Sequence, residues 1–199
     1  MTDKKLLFIW IPKCAGVSIT ESLGLNYQVR DWGVSYYDFD NSSNVTFGHA
    51  DINILLENNV LTREFYDNSF KFCVVRNPFE RCVSLYHYIT ENHMSWALKE
   101  WPFRRYMKYL YERRDKIPKN SLMNMSEYQG DVDVPEPYIK NFWNPMVSWI
   151  PDDIDKIFRF EDLQEFNDFF GVSIVRKNTS KHKDYRYYYD SDTIDIVSD

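Results

Sequence analysis

The stretch LLFIWIPKCAGVSITESL, residues 6–23, decides the fold. Its continuous apolar run from Leu6 to Ile11 suits a strand buried on both faces of a parallel sheet. The run enters Pro12-Lys13-Cys14-Ala15-Gly16, a turn whose glycine lets backbone approach a ligand closely. A helix follows, with Ser18 placed as its cap and Gly24 as its stop. The N–H groups from about Ala15 to Ile19 would then face outward at the helix start, where an anion is welcome. A triphosphate-binding loop needs GxxxxGK followed by Ser or Thr, whereas Lys13 here stands three residues ahead of Gly16. The plain alternative is a strand-to-helix turn with a solvated lysine.

The same grammar recurs twice. KFCVVR (71–76) reads as a strand, NPFE as a turn and RCVSLYHYIT (81–90) as a helix, with Pro78 fitting a first helical turn. DKIFRF (155–160) precedes EDLQEFNDFF, where Leu163, Phe166, Phe169 and Phe170 keep helical spacing. Strand-then-helix units predict an α/β protein: a three-layer, P-loop-like fold with a central parallel sheet flanked by helices and ligands at the carboxyl ends of its strands. Residues 26–46 read as loop with one weak strand, and WPFRRYMKYLYERRDK (101–116) as a basic, aromatic helix. At 199 residues with 44% hydrophobic content, the chain is expected to form one domain over 1–199, with a variable insertion at about 92–140.

The net charge of −6 argues against a surface built as a whole for nucleic acid, so any anion site must be local. Three cysteines with no CxxC pair point to a reducing compartment and suggest no metal site. No apolar run approaches the length of a membrane span or a signal-peptide core. The expectation is a cytoplasmic protein without an anchor; oligomeric state is open.

Arg76 ends the second strand and Ser84 lies on the helix after it, and a guanidinium fork and a hydroxyl are both good phosphate donors. Arg81, inside the helix, reads as structural. IPKCAGVSI followed by VVRNPFERCVSLYHY resembles the paired 5′-phosphosulfate and 3′-phosphate signatures of sulfotransferases that use 3′-phosphoadenosine 5′-phosphosulfate (PAPS). The likeness is greatest to the carbohydrate (heparan/chondroitin-type) branch, whose loop usually reads IPKTGGTS or IPKCAGTS. FRFEDL (158–163) and RKNTSKHKDYRYYYD (176–190) resemble later segments of that family, in the same order.

The resemblance implies roles. Lys13 would neutralise the oxygen between sulfate and 5′-phosphate, with Cys14, Ala15, Gly16 and Val17 (by backbone) and Ser18 holding that phosphate. Arg76 and Ser84 would hold the 3′-phosphate, Phe160 would line the adenine side, and Ser180, Lys181 and Lys183 would close over the nucleotide. Val17 stands where the family more often has threonine, and Met146 follows Pro145 where the family often has glutamine. The chain ends inside what looks like the family's last helix.

Sulfuryl transfer needs donors at the leaving oxygen and a base at the acceptor hydroxyl, and no metal. His49, after a glycine in VTFGHADI, is the first candidate base, with Asp51 to orient it; His93 is second, and His87 reads as helix surface. The expected acceptor is a carbohydrate or glycoconjugate hydroxyl. From Lys99 to Lys119, eight Lys or Arg (99, 104, 105, 108, 113, 114, 116, 119) face three acids (100, 112, 115), and Trp96 and Trp101 are candidates to stack on sugar rings. The plain reading of that segment is a solvated amphipathic helix. Two rival functions stand beside this one: a P-loop nucleotide kinase-like phosphotransferase, and a non-catalytic module that binds 3′-phosphoadenosine 5′-phosphate (PAP).

Overall fold

A computed structural model describes residues 4–27, 43–91, 100–116, 143–175, 177 and 182–198. Two compact units emerge. Among the described residues the first takes 4–27, 43–76, 145–175 and 177, and the second takes 77–91, 100–116, 143–144 and 182–198.

The first unit is a five-stranded parallel sheet, as the sequence predicts. Its strands are β1 (Leu6–Ile9), β2 (Asn26–Tyr27), β3 (Val45–Thr46), β4 (Phe70–Val75) and β5 (Lys156–Arg159), in the order β2-β3-β1-β4-β5. Phe8 pairs with Thr46 on one side and Phe72 on the other. β4 continues to β5 with Val75 opposite Arg159. Central strands meet little water on either face, which is why β1 is wholly apolar and β4 is apolar but for Lys71.

Helices α1 (Gly16–Ser22), α2 (Ile52–Glu57), α3 (Arg63–Asn68) and α6 (Leu163–Phe170) complete this unit. Phe72, Phe158, Phe166 and Phe170 form an aromatic group within its core, with Phe166 and Phe170 centroids 4.7 Å apart. A buried Phe contributes roughly 1.5–3 kcal/mol through burial, so this group anchors α6 to the sheet. At the far end of β4, the buried Lys71 ammonium sits 3.6 Å from both Asp153 and Asp155, so its charge is compensated.

Two local details depart from expectation. Helix α1 begins at Gly16, so Ser18 lies inside it and is not its cap; the cap position falls to Ala15, in the left-handed region at φ 64°. Its end behaves as expected: Gly24 takes φ 59°, its N–H reaches the Glu21 carbonyl, and the Leu25 N–H reaches Thr20. Among its described residues the 26–46 segment carries two short strands, β2 and β3, each paired in parallel with a neighbour.

The second unit is helical among its described residues: α4 (Pro78–Glu91), α5 (Phe103–Glu112) and α7 (Ser191–Ser198). The Asn77 side chain caps α4 by accepting from Phe79 and Glu80 N–H. Buried Phe103, Tyr106, Met107 and Leu110 of α5 pack with Val83, Leu85 and Ile89 of α4. Among the described residues no helix is long and apolar enough to cross a membrane.

Candidate active site

The parallel topology brings chemistry to one edge of the first unit. Lys13 follows β1, His49 follows β3, Arg76 follows β4 and Phe160 follows β5, so all four stand at strand carboxyl ends.

The loop after β1 is strained. Lys13 and Ala15 hold φ of 65° and 64°, and neither is glycine. Left-handed conformations of this kind cost about 1–3 kcal/mol each and persist where the surroundings over-determine them. Alternating backbone of this kind turns successive N–H groups into a concave nest suited to an anion. Within α1 the first helical bond runs from Ile19 N–H to the Ala15 carbonyl, so the N–H groups of Gly16, Val17 and Ser18 precede the ladder.

Trp10 locks this shape. A Cβ added at Gly16 would fall 1.8 Å from the Trp10 Nε1, so only glycine fits beneath the indole. The buried Trp10 ring also meets Tyr27 at 4.9 Å and His49 at 5.3 Å.

Lys13 is held as a reluctant cation. Burial, followed by the nearby Arg76 charge, lowers its pKa to about 8. Arg76 lies beside it: its Nη1 donates to the Lys13 carbonyl at 3.3 Å, and its guanidinium covers the Phe160 ring at 4.2 Å. Two cations crowded at one edge favour an anion between them. Phe160, expected to line the adenine side, has the arginine over its ring.

The other loop residues serve the chain in distinct ways. The buried Cys14 thiol has the Pro12 carbonyl at 3.6 Å, and the Cys14 N–H donates to the Ile11 carbonyl at 3.4 Å. Ser18 is buried, and its Oγ accepts from the Lys177 N–H at 3.0 Å while the Lys177 ammonium pairs with Glu21. The Ser18 hydroxyl proton is a separate donor and can serve an anion at the same time.

His49 has a defined tautomer. Its Nδ1 lies 3.1 Å from the Trp10 carbonyl, an acceptor only, so Nδ1 carries the proton and Nε2 the lone pair. Asp51, expected to orient this ring, instead caps α2 by accepting from Asn53 N–H at 2.9 Å. Short Asp side chains satisfy helix starts readily, and the carbonyl next door takes over the orienting task.

In the second unit Ser84 is buried on α4, and Arg81 is buried with its Nη1 donating to the Asn144 carbonyl, the structural use expected of it. His87 is not bare helix surface: its Nε2 lies 2.8 Å from the Tyr188 hydroxyl and its ring stacks on His182 at 5.1 Å. Lys183 is exposed, while Ser180, Lys181, His93 and Trp96 lie outside the described residues. Trp101 is covered by the Arg105 guanidinium at 4.0 Å. Among the described residues no cluster of three or more His, Cys, Asp or Glu is placed to hold a metal ion.

The sequence assigns no role to Trp10, which shapes the loop and orients His49, and marks Met146 only as standing where the family often has glutamine, although its sulfur lies 3.4 Å from the Arg76 amide. Both act over separations of tens of residues, and one of them through a backbone carbonyl, which no short motif encodes.

Comparison with known proteins gives one match. The model of a family described as the sulfotransferase family matches residues 1–187. No curated protein and no solved structure matches the chain.

Proposed function

For a chain that belongs to the sulfotransferase family, we propose that the donor is PAPS and the acceptor a hydroxyl of a carbohydrate or glycoconjugate. The observation that carries this reading is the meeting of Lys13 and Arg76, 63 positions apart, at the mouth of a left-handed loop. A site that crowds two cations and presents backbone N–H groups fits an anion with charge at more than one position. On this reading residues 1–199 are one sulfotransferase domain, with about 92–140 on the acceptor side.

The donor supplies an activated sulfuryl group whose bond to the 5′-phosphate breaks as the acceptor oxygen bonds to sulfur. The Lys13 ammonium stabilises negative charge gathering on the leaving oxygen, assisted by N–H groups from Cys14 to Val17 and by Ser18. Preorganisation is what makes such donors effective, and the strained loop provides it. The resemblance assigns the 3′-phosphate to Arg76 and Ser84, and a covering role over the nucleotide to Ser180, Lys181 and Lys183. His49 Nε2 takes the acceptor proton, its ring held by the Trp10 carbonyl. Tyr27, 44% exposed and tilted against the Trp10 ring that also meets His49, offers an apolar ring face that suits the C–H face of a pyranose.

The test is thermal unfolding with PAP, PAPS, adenosine 5′-phosphosulfate, or ATP with magnesium. A ligand at about 100 times its Kd adds roughly 2.7 kcal/mol, or about 5–10 °C for a domain of this size. Stabilisation by PAP and PAPS alone is expected. Stabilisation by ATP alone would favour a phosphotransferase, and no shift with any nucleotide would remove the donor assignment.

A further inference from the structure

We infer that Met146 is a positioning residue that sets the aim of Arg76 against the phosphate loop. The last ladder pair of β4 is Val75 with Arg159, so the Arg76 N–H lies just beyond the sheet pairing. It donates to the Met146 Sδ at 3.4 Å. A thioether is a weak acceptor but a polarisable one, and it tolerates the irregular approach that a chain leaving a sheet makes.

The same sulfur lies 3.9 Å from the Cys14 sulfur. One atom therefore touches the residue after Lys13 and the backbone of Arg76. These are the two segments whose side chains crowd together at the site.

The turn that presents Met146 is firmly held. Pro145 precedes a short 3₁₀ turn, Met146–Trp149, in which Ser148 N–H and Oγ both donate to the Pro145 carbonyl at 3.0 and 2.8 Å. Trp149 is 3% exposed and sits in the core of the first unit, while Val147 between them is 73% exposed. A turn pinned by Trp149 and open at Val147 directs the Met146 side chain inward, against the loop. Its sulfur thus fixes where the Arg76 backbone ends and its guanidinium begins its reach.

This inference rests on the nucleotide reading above, and PAP is the probe. Calorimetric titration of PAP compares the parent with Met146→Leu, which keeps volume but removes the acceptor, and Met146→Gln, which keeps length and offers a carbonyl oxygen. Volume-conserving exchanges are tolerated in cores, and the unfolding temperature of each ligand-free variant checks that the fold is intact. Loss of one hydrogen bond's positioning predicts a rise in Kd of roughly 3- to 10-fold for Met146→Leu. Met146→Gln should stay within about twofold of the parent, because an acceptor for the Arg76 N–H is restored. Equal affinity for Met146→Leu and the parent, or equal loss in both variants, would assign Met146 to packing alone and overturn the inference while leaving the donor reading intact. A parent that does not bind PAP removes the reading, and the inference with it.

Discussion

The loop after β1 and helix α5 are both basic, and they treat their charges in opposite ways. On α5, Arg104 pairs with Asp190 at 3.2 Å and Asp192 at 2.6 Å, and Lys108 joins Asp192 at 2.7 Å. Arg105, Arg113 and Arg114 lie over the rings of Trp101, Tyr109 and Tyr111. These cations are satisfied within their own unit, and Asp192 responds with a pKa lowered to about 2, by its hydrogen bonds to Lys108 and Arg104 first and their charges second. In the loop, by contrast, burial and Arg76 push the Lys13 pKa down to about 8. The two regions differ in how the charge is treated: acids and rings compensate the cations around α5, whereas burial and a neighbouring cation disfavour the charge on Lys13.

The sharpest way to break that contrast is to remove a charge from each side. Lys13→Ala should lower sulfuryl-transfer turnover by roughly 100- to 1000-fold, the scale seen when a preorganised donor to a developing oxyanion is lost. Lys108→Ala should leave turnover near the parent's and cost at most about 1 kcal/mol in a denaturant titration, since its pair is exposed. If the two variants lost turnover equally, the contrast would fail.

Shape gives the next largest effect. Gly16→Ala drives a methyl into the Trp10 indole and should destabilise the protein by about 1–3 kcal/mol, with PAP binding weakened because the loop must shift. Combining it with Trp10→Leu should recover part of the stability, and it keeps the main-chain carbonyl that holds His49 while removing the indole that packs on that ring. Chemical denaturation and calorimetry on both proteins read the two losses separately.

A third effect depends on pH. The folded-state pKa of Lys13 lies below its ordinary 10.5, so between about pH 8 and 10.5 the unfolded chain holds a proton that the folded chain has released. Stability of the ligand-free protein therefore rises across that window from this group. Binding of an anionic nucleotide requires the charged form, so PAP affinity should fall as pH climbs past about 8. Lys13→Arg, which stays charged, should flatten that fall; an unchanged pH profile in the variant would detach the effect from Lys13.

The smallest change tests the strain. Ala15 sits at φ 64°, where glycine is at ease, so Ala15→Gly should raise the stability of the ligand-free protein by about 0.5–1 kcal/mol in thermal unfolding. No gain would mean that the loop relaxes its backbone at little cost.

Much of this was legible before the structure. β1 is an apolar run and β4 is one broken only by Lys71, which announces buried parallel strands, whereas β5 carries Lys156 and Arg159 around Ile157 and Phe158; Arg76 stands directly after β4 and Lys13 four residues after β1. β2 and β3 were not legible as a pair, because two residues each carry no period, and their identity comes from pairing with β1. Helices α2 and α3 escaped too, being six residues long, although Asp51 and Thr62 cap them with ordinary side-chain oxygens. His49 was visible as a histidine after a glycine, but its tautomer depends on a main-chain oxygen 39 positions away. The left-handed Ala15 and the sulfur of Met146 were invisible for the same reason: backbone conformation and long-range contact are properties of the folded chain.

The most direct test of the account is transfer of sulfur-35 from labelled PAPS to a desulfated glycosaminoglycan mixture, run with the parent, Lys13→Ala and His49→Asn. The account predicts label in the polysaccharide with the parent, and almost none with either variant, while His49→Asn still binds PAP. Transfer by both variants at the parent's rate would contradict it.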